Sequence, residues 1–243
     1  TVDPSVTPDP SETPDASVTP DPSETPDASV TPEPTGTPGT ITPEPTNTPE
    51  PTPTEPVKKG DEVETKAGTV VVTNTKTNTV AFDTVDDAAT TVTIPKTVKI
   101  DGVAYTVTTI KASAFADSKK LTNVTIPATI TAIGKNAFAG CSKLTKVTVK
   151  STKLKAIKAN TFKDCKALTS ISLPKSVTSI GKNVFSGCSK LKTITIKATT
   201  LKVKKGAFKG IAKNAVIKVP KSKVKAFSKI LKKAGFKGKV KAI

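Results

Sequence analysis

Three cysteines, 38 lysines and 20 acidic residues are the side chains of this 243-residue chain that could do chemistry; it has no histidine. Without imidazole, no histidine-based triad, dyad or proton shuttle can be built. The thiols of Cys141, Cys165 and Cys188 could serve as disulfide partners or metal ligands. A metal site would also call for histidine or a CxxC pair, and the chain offers neither. Beyond residue 57 the acids are scattered, chiefly Asp83, Asp86, Asp87, Asp101, Asp117 and Asp164. Asp86-Asp87 reads as a turn, and no two carboxylates are placed to work from opposite sides of a cleft. A glycine-rich phosphate loop and a nucleophile elbow are both missing. These residues predict a region that is not an enzyme and needs no cofactor.

The remaining chemistry is charge. Up to residue 56 the chain holds 16 of its 20 prolines, 11 of its 20 acids and no lysine. From residue 57 onward it holds all 38 lysines and 9 acids, a net charge of +29. Every cation is a lysine. The missing arginine fork argues against sequence-specific nucleic-acid reading, and with Tyr105 as the one tyrosine and no tryptophan there is little to stack bases or sugars. The lysines either keep the protein soluble or draw it, in a salt-sensitive way, to anionic polymers such as sialylated or sulfated glycans, teichoic acids or acidic proteins.

These side chains are positioned by a repeat. Phe115, Phe138, Phe162, Phe185 and Phe208 follow one another at steps of 23, 24, 23 and 23 residues. Leu121, Leu144, Leu168 and Leu191 keep the same register, as do Ile110, Ile133, Ile157, Ile180 and Val203. A period of this size means a solenoid, in which each unit buries its apolar edge by stacking on its neighbours. The cysteines fall three residues after the phenylalanine, in a column completed by Ser118 and Ile211. Such a column asks for a small buried side chain. Coils about 4.7–4.9 Å apart would also let adjacent cysteines meet, but three cannot all pair.

The unit L-x-x-V-x-I-P-x-x-V-x-x-I-G-x-x-A-F-x-x-C resembles the BspA-like bacterial leucine-rich repeats. The residues that carry the likeness are Leu121, Val124, Ile126, Pro127, Ile130, Ile133, Gly134, Ala137, Phe138 and Cys141. The next matching unit runs through Leu168, Ile171, Leu173, Pro174, Val177, Ile180, Gly181, Phe185 and Cys188. The resemblance, over roughly residues 92–220, implies a secreted or cell-surface protein of host-associated microbes and suggests adhesion.

Taken in order, residues 1–57 read as a disordered Pro/Thr-rich acidic stalk, with 5–16 and 17–28 identical copies of SVTPDPSETPDA. Dense proline removes backbone donors and fixes φ, so neither helix nor sheet is expected there. A start at Thr1, without Met, reads as a piece of a longer protein. Residues 58–98 predict an N-terminal β cap, with GTVVVT (68–73) and TVAFDTV (79–85) as a hairpin. Residues 99–220 predict the leucine-rich repeats of a mainly β, right-handed solenoid, one parallel strand per coil. Asn136, Asn160 and Asn183 are expected to bond the turns, and STKLKAIKANTF, one residue longer and without proline, to bulge. Residues 221–243 predict a C-terminal helical cap, N-capped by Ser222 and stopped at Gly235, with Val224, Phe227, Ile230 and Leu231 facing inward.

The outward strand positions supply the candidate ligand face: Thr125, Thr148, Ser172, Thr195 and Lys218 in one column, with Asn123, Lys146, Ser170 and Thr193 beside it. This flat, hydroxyl-rich surface suits broad contact with an extracellular protein or an anionic polysaccharide. The expectation is a monomeric, non-catalytic binding module, secreted or at the cell surface, with no membrane-spanning segment in this stretch. The alternative is a structural spacer that positions an upstream enzyme.

Overall fold

The computed structural model describes residues 55–243; the stalk reading lies, up to residue 54, outside the described residues. The chain opens with β1 (Glu62–Thr65), β2 (Gly68–Asn74) and β3 (Thr79–Thr84). Then come β4 (Thr91–Thr93), β5 (Thr97–Ile100) and β6 (Val103–Ile110). Strands β1, β2 and β3 pair antiparallel, and β3 pairs parallel with β6, so the expected hairpin is the middle of a larger sheet. Asp101-Gly102, with φ of 48° and 77°, closes β5 onto β6 in the tight turn that asks for two left-handed residues.

Past β6 each coil contributes one four-residue strand and one two-residue strand. The long ones are β7 (Asn123–Ile126), β9 (Lys146–Val149), β11 (Ser170–Leu173), β13 (Thr193–Ile196) and β15 (Val216–Val219). The short ones are β8 (Ala132–Ile133), β10 (Ala156–Ile157), β12 (Ser179–Ile180) and β14 (Lys202–Val203). After β15 come α1 (Val224–Lys233) and β16 (Lys239–Ala242). The long strands form one parallel seven-stranded sheet in the order β16-β15-β13-β11-β9-β7-β4. β4, from the TTVTIP segment, is its first strand and pairs with β7.

The core is a stack of identical positions. Leu121, Leu144, Leu168 and Leu191 are fully buried, and so are Ile133, Phe138 and Phe162. The rings of Phe115, Phe138, Phe162, Phe185 and Phe208 stack with centroids 4.7–6.1 Å apart and planes within 20°. Two further rings extend this ladder. Phe82 from β3 stacks on Phe115 at 5.1 Å, and Phe236, between α1 and β16, meets Phe208 edge-on at 5.6 Å and 66°.

Two columns of each turn are left-handed. Ser113, Asn136, Asn160, Asn183 and Gly206 have φ of 56–82°, as do Asp117, Gly140, Asp164, Gly187 and Gly210 at 59–78°. Asparagine, aspartate and glycine tolerate that conformation best. The asparagine column is therefore explained by backbone shape rather than by the side-chain bonding expected of it. The first four members of the second column alternate between aspartate and glycine. Asp117 lies over Gly140, where a Cβ would stand 2.2 Å from its carboxylate, and Asp164 lies over Gly187 in the same way. Gly134 is required by close approach, since a Cβ there would meet the backbone nitrogen of Ala112 at 2.3 Å. Gly134 and Gly181, like Pro127 and Pro174, recur every second coil. The packing unit is thus a pair of complementary coils.

The longer third unit does not bulge within its strand. β9 pairs with β11 over two residues instead of four, and the extra residue is taken up beyond the strand end. Ser151, fully buried, donates its hydroxyl to the Ile130 carbonyl at 2.5 Å and accepts from the Lys153 and Leu154 amides at 3.1 and 3.0 Å. At the far end, the helix begins one residue later than expected and Ser222 does not cap it; a 3-10 turn over Lys221–Lys223 leads in from Pro220. Gly235, at φ 94°, ends it, with the Phe236 amide bonded back to the Leu231 carbonyl. Phe227 and Leu231 are buried against the solenoid.

Candidate binding surface

The thiol column is interior structure. Cys141, Cys165 and Cys188 are free and buried, and each donates to the phenylalanine carbonyl one coil back, at 2.9, 3.1 and 3.0 Å from Phe115, Phe138 and Phe162. Burial pushes Cys141 up from 9.0 to about 12. Cys165 is also raised, first by its bond to the Cys188 thiol and then by burial. Such thiols are neutral and poorly nucleophilic. The acids are used locally as well. Asp83 pairs with Lys111 at 2.8 Å, Asp117 with Lys119 at 2.5 Å, and Asp86 accepts from the Ala88 amide within its own turn.

The thiols carry a stability prediction. A buried thiol favours the neutral form, so the unfolded chain, at 9.0, loses its proton first as pH rises. The stability contributed by Cys141 is complete below pH 9 and is lost between pH 9 and about 12. Relative to Cys141→Ser, whose lysines titrate identically, wild type should lose roughly 4 kcal/mol across that window. Chemical denaturation at stepped pH measures the difference. Parallel curves would show that the Cys141 thiol does not titrate differently in the folded chain.

The strand face is assembled largely as its alternation implied. Asn123, Lys146, Ser170 and Thr193 stand next to one another in register, with Thr91 added at one end and Val216 and Lys239 at the other. The second column is split. Thr93, Thr125 and Thr148 are in register, as are Ser172, Thr195, Lys218 and Lys241, but Thr148 and Ser172 are not paired. The extra residue of the third unit is the cause. Within the face, Lys146, Ser170, Ser172 and Lys218 are exposed and the others half-buried.

Charge is distributed unevenly along the solenoid. Asp164 is the last acidic residue, and the 79 residues after it carry 21 lysines. Every ion pair among the described residues uses a lysine at or before Lys163: Lys58, Lys111, Lys119 and Lys163. None of the 21 later lysines forms an ion pair within the described residues. They lie on β14 to β16, on the helix and in the turns from Lys166 onward, including Lys218, Lys239 and Lys241 on the strand face. An averaged charge hides this, although the missing acids can be counted in the sequence.

The BspA type leucine rich repeat region matches residues 108–233, in six copies. The chain belongs to this family. Its fold is similar to that of a leucine rich repeat protein of T. pallidum, at 21% identity and a TM-score of 0.53, over 77% of this chain and 99% of that one. A leucine-rich repeat protein of Bacteroides capillosus is 30% identical over 56% of this chain and 97% of its own, with a TM-score of 0.50. A leucine rich cell surface protein of Faecalibacterium prausnitzii shares the fold at 23% identity and a TM-score of 0.50, over 70% of this chain and 54% of that one. No curated protein matches the sequence. No described helix is long and apolar enough to cross a membrane.

Proposed function

We propose that this repeat protein is a binding module displayed outside the cell, which holds anionic polymers through the lysine-covered second half of its solenoid. The observation that carries this reading is the run of 21 lysines after Asp164 with no acid among them. Interspersed charges of both signs with a modest net charge would serve solubility, so a one-signed field over several coils fits attraction better than dispersal. Lysines are compact point charges and suit sulfate, phosphate or carboxylate groups without demanding one geometry. Each exposed contact is worth less than about 1 kcal/mol, so useful affinity comes from many at once.

The outward strand face, from Asn123 and Thr125 through Lys146, Thr148, Ser170, Ser172, Thr193 and Thr195 to Lys218, offers hydroxyls that hydrogen-bond a polymer lying along the stack. The likeness to a leucine rich cell surface protein supports an extracellular setting. Binding of the chain to sulfated glycan, mucin and cell-wall preparations tests the proposal. Saturable binding that weakens as salt rises is expected. No saturable binding even at low salt would overturn it and favour a spacer role.

A further inference from the structure

We propose that the C-terminal end of the solenoid is a second site, which binds an extended acidic peptide segment carrying one bulky apolar side chain. The turns satisfy their backbone donors from one coil to the next. In each of four coils, the amides of the ladder phenylalanine and of the residue two further on donate to two carbonyls of the next coil. Phe115 and Asp117 bond Ala137 and Ala139 at 2.8 and 2.7 Å; Phe138 and Gly140 bond Thr161 and Lys163 at 2.9 and 2.8 Å. Phe162 and Asp164 bond Val184 and Ser186 at 3.0 and 2.7 Å; Phe185 and Gly187 bond Ala207 and Lys209, both at 2.8 Å. The last coil breaks the series. The chain leaves for β15 and the helix, and no further turn of this kind stacks on it among the described residues. Gly206 finds the Ala234 carbonyl at 3.2 Å, but the amides of Phe208 and Gly210 have no acceptor among the described residues.

Both residues line an open groove of about 670 Å³ between this turn and the Ala234–Gly238 return. Its floor is apolar, formed by Phe208, Phe236, Ala234 and the half-buried Ile211 and Ala212. Its rim is Lys205, Lys209, Lys213 and Lys237, all exposed and with no acid partner among the described residues. An occupant must therefore offer acceptors to two amides, an apolar group to the floor and negative charge to the rim. Every preceding coil satisfies its two amides with carbonyls two residues apart on one strand of backbone, not with a single oxygen. A peptide in the place of the next coil meets that demand, as strand addition does at a sheet edge. A fatty-acid anion would meet the floor and the rim, but its one carboxylate lacks the spaced carbonyls.

The groove shares its rim lysines with the polymer surface but adds an apolar floor and two free amides of its own, and the test separates the two. The probe is a fluorescein-labelled Asp-Asp-Phe-Gly-Glu-Asp peptide, with a twin in which serine replaces the phenylalanine. The whole chain should bind the first about tenfold tighter than the second by fluorescence anisotropy. Ala212→Trp fills the groove and leaves every lysine in place, so it should abolish that preference while sulfated-glycan binding is unchanged. A second variant, Lys209→Glu with Lys213→Glu, changes exposed residues only; it should weaken the phenylalanine peptide about tenfold at an unaltered melting temperature. Equal binding of the two peptides by wild type, or an undiminished preference in Ala212→Trp, would overturn the proposal. So would dodecanoate binding in the groove while the two peptides are not told apart.

Discussion

Replacing Phe162 by alanine should lower the free energy of unfolding by about 3–5 kcal/mol, the range for a large aromatic removed from a core. Phe162 is fully buried, with Phe138 stacked on one face at 5.3 Å and Phe185 on the other at 5.8 Å. The gap left behind cannot close easily, because the spacing of neighbouring coils is held by the backbone bonds of the turns, such as those from Asp164 to Ser186 and from Phe162 to Val184. In a solenoid each repeat contacts only its neighbours, so the loss falls on the two interfaces that flank this coil in the middle of the stack. Phe236→Ala should cost less, since that ring meets a single partner, Phe208, and meets it edge-on. Guanidinium titration of both variants checks the order. Equal costs at the middle and the end would contradict a ladder whose inner rungs are supported from both sides.

The ladder illustrates what the sequence could convey. Five of its rungs are periodic and could be read from spacing alone. Phe82 and Phe236 occupy the same stack but come from an antiparallel hairpin and from the return after a helix, so no period marks them. The asparagine column was legible as a column but not in its cause. Spacing showed that Asn136, Asn160 and Asn183 share a role, whereas the positive φ that selects them belongs to the backbone. The pairing of coils was hidden for a related reason. A single-unit consensus averages Asp117 with Gly140, although one carboxylate fills the space that the other glycine leaves. The extra residue of the third unit was countable, but Ser151 as the group that absorbs it was not.

The candidate face shows the same division. Strand alternation placed Asn123, Lys146, Ser170 and Thr193 correctly side by side, because period two decides which face a strand residue shows. It could not reveal that Thr148 and Ser172 fail to pair, nor that Lys239 and Lys241 join the same sheet through a strand outside the repeat. The unpaired amides of Phe208 and Gly210 were out of reach of any sequence reading. They depend on where the stack of turns stops among the described residues.

Moving the charge should move the binding. With 21 lysines and no acid after Asp164, against 17 lysines and 9 acids over residues 57–164, the proposed attraction resides in the second half of the solenoid. Neutralising Lys197, Lys218, Lys239 and Lys241 to glutamine removes four charges from β15, β16 and the end of β13 without touching the core. Binding of that variant to a sulfated glycan should fall at least about tenfold, with a shallower dependence on salt, because fewer counterions are displaced. Neutralising Lys66, Lys76, Lys96 and Lys99 near β1 to β5 removes the same formal charge and should change affinity less than about twofold. The comparison of these two variants by titration at low salt is the most direct measurement of the central claim. A loss confined to the C-terminal set is the predicted result, and equal losses, or none, would contradict it.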